Sequence, residues 1–434
     1  MTPMSISASA MREPADVALL TGPDAGDVLT SALVPDDGKL VEWAVHTVHH
    51  RPGAGVTVGY TATVERTTSS GRRKRTEEYL CATTARLTRA AGPGLVRLEP
   101  PGGNGPVVHL WRHPADPELP ALATACDSVK MSRRLGERVT LELVAYRPTR
   151  RAVLRATGQS GRVQYIKVVR PGALADLVGR HRMLTAAGVP APAVVAEEAT
   201  GMAVLTEGQG ESLARVLHRG PGPLTDAVLF ALTRTLDTLP ASAMQLARRS
   251  AWSERSTHYA HAAATVLPEA SARTQALAVG VEQLLTAGPP QPVVPVHGDF
   301  YEANVLMDPR EGIANVSSLL DVDSLGPGYR SDDLACLLGH VSVLVHLAPD
   351  RYPAVPHVLA RWTQLCEQMV DPVQVCTRAA GVTLSLVAGA KRADGRWRSD
   401  AEGRLRTAEA WLARARQFAS GTVTGPFVVP PPVG

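Results

Sequence analysis

The chain has 434 residues, of which 44% are hydrophobic, and its formal net charge is only +4. At about 100–200 residues per domain, this length predicts two or three domains, each with its own core. A dedicated nucleic-acid binder usually carries more positive charge, gathered on one face, so we predict no nucleic-acid partner. The basic run RRKR at 72–75 is interpreted as protection of an exposed hairpin turn against aggregation rather than as a phosphate-binding patch.

The five cysteines are scattered, and no two of them form a CxxC pair. This pattern indicates a reducing compartment without a disulfide framework. The first residues do not combine a basic region with an apolar core, so they do not predict a signal peptide. The most apolar run, 334–348, is shorter than the roughly 18 residues of a membrane span and contains two histidines. We predict a cytoplasmic protein without a membrane partner; its oligomeric state cannot be inferred from the sequence.

Residues 1–130 are predicted to form an N-terminal cap-like domain. Stretches 46–65 and 77–86 are rich in β-formers, and the polar, glycine-containing segment 67–75 between them predicts a hairpin turn. The apolar segment 107–111 predicts another short strand.

Residues 131–207 are predicted to form a small antiparallel β-lobe. Segments 138–146, 151–157 and 162–169 alternate or run apolar, with turn residues between them, which predicts a three-stranded meander. A helix follows over 173–188 and ends at a glycine, and two more strands are predicted within 189–208.

Residues 208–434 are predicted to form a mostly helical lobe. Apolar residues recur every three to four positions in five segments, namely 224–238, 268–287, 333–347, 355–370 and 400–418. The exception is a β-like stretch at 292–325. The fold class is therefore α+β, with a cap, a β-lobe and a helical lobe in that order.

The β-like stretch contains the residues with the clearest chemical potential. In HGDFYEANVL (297–306) an apolar strand leads to Asp299, and Asn304 follows five positions later. In SLLDVD (318–323) a second apolar strand leads to Asp321, and DPREG (308–312) turns the chain between the two strands. A hairpin of this kind brings the three side chains into one small volume. Phosphoryl transfer needs a carboxylate for the attacking hydroxyl and oxygen ligands for Mg²⁺, together with a strand-borne lysine, here Lys167, for the phosphates.

With DDLA at 332–335, these motifs resemble the aminoglycoside phosphotransferase-like family, which has a two-lobed protein-kinase-like fold. The resemblance covers about residues 138–345 and suggests the actinobacterial type with an N-terminal cap-like extension. It implies that ATP binds between the β-lobe and the helical lobe. It also implies roles for individual residues: Asp299 as catalytic base, assisted by Asn304; Asn304 and Asp321 as Mg²⁺ ligands; Lys167 at the phosphates; Asp333 as a brace of the catalytic loop; and Thr206, Glu207 and Gly208 as the hinge that receives the adenine.

Two features depart from the family pattern. The nucleotide loop, 146–153, contains no glycine. Its arginines Arg147 and Arg151 are predicted to contact phosphate oxygens through their guanidinium groups. The helix after the lysine strand lacks the usual glutamate, so either Asp176 or another group must hold Lys167. Two residues of the motif are interpreted as supporting ones: His297 as a hydrogen-bonding support of the loop, and Glu302 as a solvated loop residue rather than a substrate contact.

The predicted function is Mg²⁺-dependent transfer of the γ-phosphate of ATP, with GTP as an alternative donor, to a hydroxyl of a small molecule. Amino sugars, sugars and other metabolites are the acceptor classes that the resemblance allows. Segment 252–266 has few acids, which argues against a polycationic aminoglycoside. One alternative is a kinase for Ser or Thr hydroxyls of a peptide or protein, to which the N-terminal domain would suit docking. Another is a nucleotide-binding pseudokinase, favoured by the missing glutamate and opposed by the intact Asp299, Asn304 and Asp321.

Overall fold

A computed structural model describes residues 8–34, 37–50, 55–68, 71–89, 92, 94–99, 105–308, 315–391 and 395–433. The chain forms two compact units. The first comprises Met1–Val178 and Val194–Glu207, and the second comprises Gly179–Ala193 and Gly208–Gly434. The division into three functional domains stays a prediction.

The N-terminal part of the first unit is a twisted antiparallel sheet with two helices on one face. Helices α1 (Ala8–Thr21) and α2 (Ala25–Leu33) precede strands β1 (Lys39–His50), β2 (Val56–Thr67), β3 (Arg73–Thr83), β4 (Val96–Leu98) and β5 (Val108–Arg112), in the order β1-β2-β3-β5-β4. Alternate residues of β2, such as Val58 and Tyr60, face the helices and pack against Leu20 and Leu29. The period-2 pattern of a half-buried strand places them there.

The predicted hairpin turn is shorter than expected. Residues 73–75 belong to strand β3, and Glu65 on β2 lies opposite Arg75 in the strand register. The Glu65 carboxylate forms ion pairs with Arg75 at 3.1 Å and with Arg73 at 3.6 Å. Sequence alone placed this basic run in a turn, but residues 73–75 pair with β2, and the opposite charges across the two strands favour this pairing. The β-rich stretch 46–65 contains the end of β1 and most of β2, and residues 51–54 between these strands lie outside the described residues.

The rest of the first unit confirms the predicted meander, helix and strand pair. Helices α3 (Leu122–Ala125) and α4 (Ser128–Leu135) precede strands β6 (Val139–Arg147), β7 (Arg151–Gly158), β8 (Val163–Val169), β9 (Val194–Glu198) and β10 (Met202–Thr206), in the order β6-β7-β8-β10-β9. Helix α5 (Pro171–Ala186) follows β8, and its Leu174 and Leu177 pack against Val169 and Ala203 on one face of the sheet. The opposite face packs against α3 and α4.

The second unit is mainly helical, as predicted. Its helices are α6 (Leu213–Arg219), α7 (Thr225–Asp237), α8 (Ser256–Val266), α9 (Ser271–Ala287), α10 (Arg330–Leu347), α11 (Val355–Met369), α12 (Pro372–Val387) and α13 (Trp397–Ser420). Its strands are β11 (Glu211–Ser212), β12 (Val293–Val296), β13 (Val305–Met307), β14 (Val316–Leu319) and β15 (Gly326–Tyr329), paired as β11-β13-β14 and β12-β15. Fully buried Trp362 and Trp411 lie in its core.

Helix α12 escaped prediction because it is buried nearly all round. Polar Thr377 and Thr383 are as fully buried as Cys376 and Ala380, so no apolar stripe marks one face. Within the described ranges, Pro372–Ala390 is the one helical stretch long and apolar enough to cross a membrane by length and composition, and 72% of its apolar window is buried inside the protein. Such burial is typical of a core helix.

Candidate active site

The site of the second unit is built on two short strand pairs. Strand β12 pairs with β15, and β13 pairs with β14, with Val305 opposite Leu319. The loop 297–304 connects β12 to β13, and Leu320 and Asp321 follow β14 directly. The predicted DPREG turn between β13 and β14 lies outside the described residues from 309 to 312. Strand pairing thus brings the HGD-x4-N loop and the residues after β14 to one place.

His297 is fully buried and ties the two segments together. Its Nε2 lies 3.0 Å from the Leu320 carbonyl, and its Nδ1 lies 3.3 Å from the backbone nitrogen of Asp299. A carbonyl can only accept a hydrogen bond and a backbone N–H can only donate one. The neutral ring therefore carries its proton on Nε2, and Nδ1 accepts. Both nitrogens are therefore used in holding the loop, which supports the predicted supporting role for this histidine.

Asp333, at the start of helix α10, supports the loop 297–304 through hydrogen bonds. Its side chain is fully buried and accepts hydrogen bonds from the backbone N–H of His297 at 2.9 Å and of Gly298 at 2.8 Å. Burial raises the pKa of Asp333 to about 7, although these two N–H groups act to lower it. Gly298 has φ +78°, and a Cβ there would lie 2.7 Å from the Ser324 carbonyl oxygen, so only glycine suits this position.

Hydrogen bonds link Asp299 to Asn304, and Asn304 to the segment that leads to Asp321. The Asn304 amide nitrogen donates to the Asp299 carbonyl at 2.9 Å and lies 3.5 Å from the Asp299 carboxylate. The Leu320 N–H donates to the Asn304 carbonyl at 2.8 Å, and Asp321 comes next with φ +52°. A left-handed aspartate is strained, and such strain clusters at functional sites. In this orientation the Asn304 amide nitrogen, and not its oxygen, faces Asp299.

Negative charge accumulates around Tyr301. The pKa of its hydroxyl is raised chiefly by burial and further by the charges of Asp299, Glu302 and Asp321. Glu302 is only 7% exposed, so its predicted solvation is wrong: the loop turns this side chain inward. Burial, followed by the charge of Asp299, raises the pKa of Glu302 to about 7. Acids gathered in this way favour a bound cation.

The predicted hinge lies at the boundary of the two units. Thr206 ends strand β10, and Glu207 is the last residue of the first unit. In the second unit, the Gln209 N–H donates to the Ser318 hydroxyl at 3.0 Å. A Cβ on Gly208 would lie 2.8 Å from a Leu320 methyl, so the backbone packs closely on the strand that leads to Asp321.

The predicted nucleotide contacts of the first unit lie on neighbouring strands of one sheet. Lys167 is in the middle of β8, opposite Val153 on β7 and Ala203 on β10, and therefore on the face that packs against α5. Arg147 and Arg151 are exposed and face each other across the end of the β6–β7 pair. Asp176 is exposed on α5.

Residues 149–352 match the sequence model of the phosphotransferase enzyme family. This part of the chain is similar to that family. The predicted family and enzyme class, a phosphotransferase with an alcohol group as acceptor, are thereby confirmed. The actinobacterial type and the N-terminal cap stay predictions.

A comparison with solved structures also found similar chains. An aminoglycoside phosphotransferase from Streptomyces rimosus, in complex with ADP and streptomycin, is 21% identical over 59% of this chain and 97% of its own, with a TM-score of 0.41. An ethanolamine kinase from Plasmodium vivax is 14% identical over 62% and 82%, with a TM-score of 0.41. A choline/ethanolamine kinase family protein from Mesorhizobium loti is 18% identical over 69% and 98%, with a TM-score of 0.44. No curated protein matched the chain.

Sequence patterns did not reveal the aromatic residues around the loop 297–304. Tyr301 stacks on His340 of α10 with ring centroids 4.1 Å apart. Trp252 stacks on Tyr259 of α8 at 5.9 Å, and the charge of Asp299 contributes to the raised pKa of Tyr259. Trp252 lies in a short 3₁₀ helix before α8, so no periodicity of a single helix relates it to Tyr259.

Proposed function

We propose that this protein transfers the γ-phosphate of ATP to a hydroxyl group of a small molecule, in a reaction that requires Mg²⁺. The observation that carries the proposal is the hydrogen-bond network that links Asp299, Asn304 and the segment leading to Asp321. A carboxylate beside two oxygen ligands is the arrangement that phosphoryl transfer needs.

Asp299 is proposed to orient the attacking hydroxyl and to accept its proton. Its backbone is held at the N–H by His297 and at the carbonyl by Asn304, so the carboxylate projects from a rigid loop. Such positioning supplies much of the rate acceleration in reactions with little covalent chemistry for the protein. Asp333 contributes by fixing the two residues that precede Asp299.

Asn304 and Asp321 are proposed to hold Mg²⁺. Amide and carboxylate oxygens are ligands that this cation accepts, and the acids gathered around Tyr301 favour a positive charge nearby. The donor set therefore fits the ion. When bound, Mg²⁺ would neutralise charge on the phosphates.

Replacing Asp321 by asparagine is expected to raise the Mg²⁺ concentration for half-maximal activity by at least about tenfold. Mutation of residues that only support metal ligands already lowers metal affinity by about this factor. The measurement is initial rate against Mg²⁺ concentration at saturating substrates. Asp350→Asn, an exposed position on the same unit, is the matched control. An unchanged Mg²⁺ dependence for Asp321→Asn would remove this residue from the metal site.

The first unit is proposed to bind the nucleotide. Lys167, Arg147 and Arg151 would pair with phosphate oxygens, and the hinge at 206–208 would receive the adenine, or the guanine if GTP is the donor. Support comes from their positions: the lysine lies in mid-strand, and both arginines are exposed at the end of one strand pair.

The acceptor is proposed to be a ring-bearing compound that is neutral or anionic. The Arg255 guanidinium lies 5.1 Å from the Trp252 ring and 5.4 Å from the Tyr259 ring. Glu254, the nearest acid in sequence, pairs with Arg248. The aromatic pair can stack on a ring of the acceptor. The positive charge of Arg255 beside it would repel a polycationic aminoglycoside.

Trp252→Ala is expected to raise the KM for the acceptor by about tenfold while leaving the KM for ATP unchanged, because burial of a ring against an aromatic face contributes on this order. Steady-state kinetics with each substrate varied in turn measures both constants. Phe230→Ala, an exposed aromatic of the same unit on α7, is the control. If the acceptor KM does not move, Trp252 lies outside the acceptor site.

A reducing compartment, and hence the cytoplasm, is proposed for the protein. Cys81, Cys336, Cys366 and Cys376 are buried as free thiols, and Cys126 is half-buried. Burial raises the pKa of the Cys366 thiol to about 12, so it stays protonated.

The test of the function is transfer of label from γ-labelled ATP with Mg²⁺, with wild type and Asp299→Ala side by side. The acceptors are neutral sugars, sugar acids, aminoglycosides and a pool of Ser- and Thr-containing peptides. Label on a small molecule with the wild type alone supports the proposal. Label on peptides alone would replace it with the peptide kinase. ATP binding without transfer to any acceptor class would favour the pseudokinase.

A further inference from the structure

The turn between β6 and β7 replaces a glycine-rich loop with buried residues. We call residues 147–151 the β6–β7 turn. Its tip, Pro148 and Thr149, is buried, whereas Arg147, Arg150 and Arg151 are exposed around it. Thr149 has φ +63°, a conformation that costs a non-glycine residue free energy. Something must therefore hold this turn in place.

Asp116, from the segment after β5, provides the main contacts to the turn. One carboxylate oxygen accepts the Thr149 N–H at 2.7 Å and the Tyr146 hydroxyl at 2.7 Å. The other accepts the Glu118 N–H at 2.9 Å. The side chain of Asp116 is only 4% exposed, so these bonds are shielded from water.

The carbonyl of Thr149, like its N–H, forms a short hydrogen bond to a side chain. It accepts a hydrogen bond from Arg170 Nε at 2.7 Å. The same Arg170 nitrogen lies 3.3 Å from the carboxylate of Glu118, which also accepts the Thr88 hydroxyl at 2.8 Å. Both polar backbone groups of the strained residue are thus bonded to side chains anchored outside the strand pair.

Tyr146 connects this network to the N-terminal sheet. Its hydroxyl accepts from the Trp111 indole N–H at 3.1 Å, and its ring packs edge-on against Tyr79 at 5.8 Å and His113 at 5.0 Å. These partners lie on or directly after strands β3 and β5. They share the sheet face opposite to α1 and α2, since Tyr79 alternates with Leu80 of the helix-facing core.

We propose that Asp116 is a positioning residue for nucleotide binding, which holds the β6–β7 turn so that Arg147 and Arg151 are preset to receive phosphates. The N-terminal sheet then contributes to nucleotide binding by supporting this turn. A flexible glycine loop must be ordered when the nucleotide binds, whereas a turn fixed beforehand avoids that entropic cost. The inference rests on the proposed function, because it assigns the phosphate contacts to this turn.

Asp116→Ala is expected to weaken binding of MgADP and to raise the KM for ATP by about tenfold, because a turn that has lost this contact must be ordered when the nucleotide binds. The kcat and the acceptor KM are expected to change by less than about threefold, since the catalytic loop keeps its own contacts. Calorimetric titration of the full chain with MgADP gives the affinity, and steady-state kinetics gives the other constants. Tyr146→Phe removes one bond to Asp116 but keeps the ring, so a smaller loss in the same direction is expected.

Tyr60→Phe is the matched control for a purely structural role. It removes a buried hydroxyl that donates to the Leu20 carbonyl, on the opposite face of the same N-terminal sheet. It should lower the melting temperature without changing MgADP affinity. The inference is overturned if Asp116→Ala binds MgADP like the wild type. If the alanine variant does not fold, the same result for Tyr146→Phe overturns it. It is also overturned if Tyr60→Phe loses as much affinity. Failure of the proposed function itself is distinct, because it is measured on the wild type: no label would then be transferred to any acceptor, whether or not the nucleotide binds.

Discussion

Replacing Asp299 by alanine is expected to lower kcat by about 10²–10⁴-fold, the range for loss of a general base. Affinity for MgADP should stay within about twofold of the wild type, because the side chain is proposed to act on the acceptor hydroxyl rather than on the nucleotide. The fold should also be retained, since the hydrogen bonds that secure residue 299 involve its backbone N–H and carbonyl. Single-turnover transfer of labelled phosphate, at saturating ATP and acceptor, measures the chemical step.

Asp350→Ala, an exposed change on the same unit, is the control for Asp299→Ala and should retain wild-type kcat. Asp299→Asn adds a second comparison, because it keeps the size of the side chain but cannot accept the proton. If Asp299→Ala retains more than about a tenth of wild-type kcat, the assignment of the base is wrong. If it instead loses nucleotide affinity, Asp299 acts on nucleotide or metal binding.

Asp333→Ala is expected to reduce the free energy of unfolding by about 2–4 kcal/mol, because two buried N–H groups, those of His297 and Gly298, lose their acceptor. The same variant should lose most of its activity, since the displaced residues lead directly into Asp299. Urea unfolding followed by circular dichroism gives the stability, and label transfer gives the activity. A loss of stability below about 0.5 kcal/mol would show that the loop does not depend on this brace.

The pH dependence of stability offers an independent check on Asp333. Burial raises its pKa to about 7, whereas an aspartate in the unfolded chain has a pKa of about 3.9. Between these values the folded state binds the proton more tightly, so the contribution of Asp333 to stability falls as pH rises from about 4 to about 7. Asp333→Asn should lack this component. Its stability deficit against the wild type is therefore expected to shrink over that window, and a constant deficit would contradict the shifted pKa.

Some errors of the sequence analysis share a physical origin. The run at 72–75 looks like a turn by composition, but residues 73–75 pair with β2 in the strand ladder, where Glu65 forms ion pairs with Arg73 and Arg75. Glu302 looks solvated because it lies in a loop, yet the loop folds inward. In each case a contact distant in sequence outweighs a local tendency, as tertiary context often does.

By itself, the sequence determined the class of this protein and the core of its candidate site. Local periodicity specifies strands such as β6–β8, and the spacing of Asp299, Asn304 and Asp321 follows from a loop and a hairpin that are close in the chain. Only the tertiary structure decided that α12 is a core helix, that Asp333 holds the loop through His297 and Gly298, and that Asp116 holds Thr149. These partners are 33 to 36 residues apart, and no local pattern encodes which buried carboxylate will meet which backbone N–H.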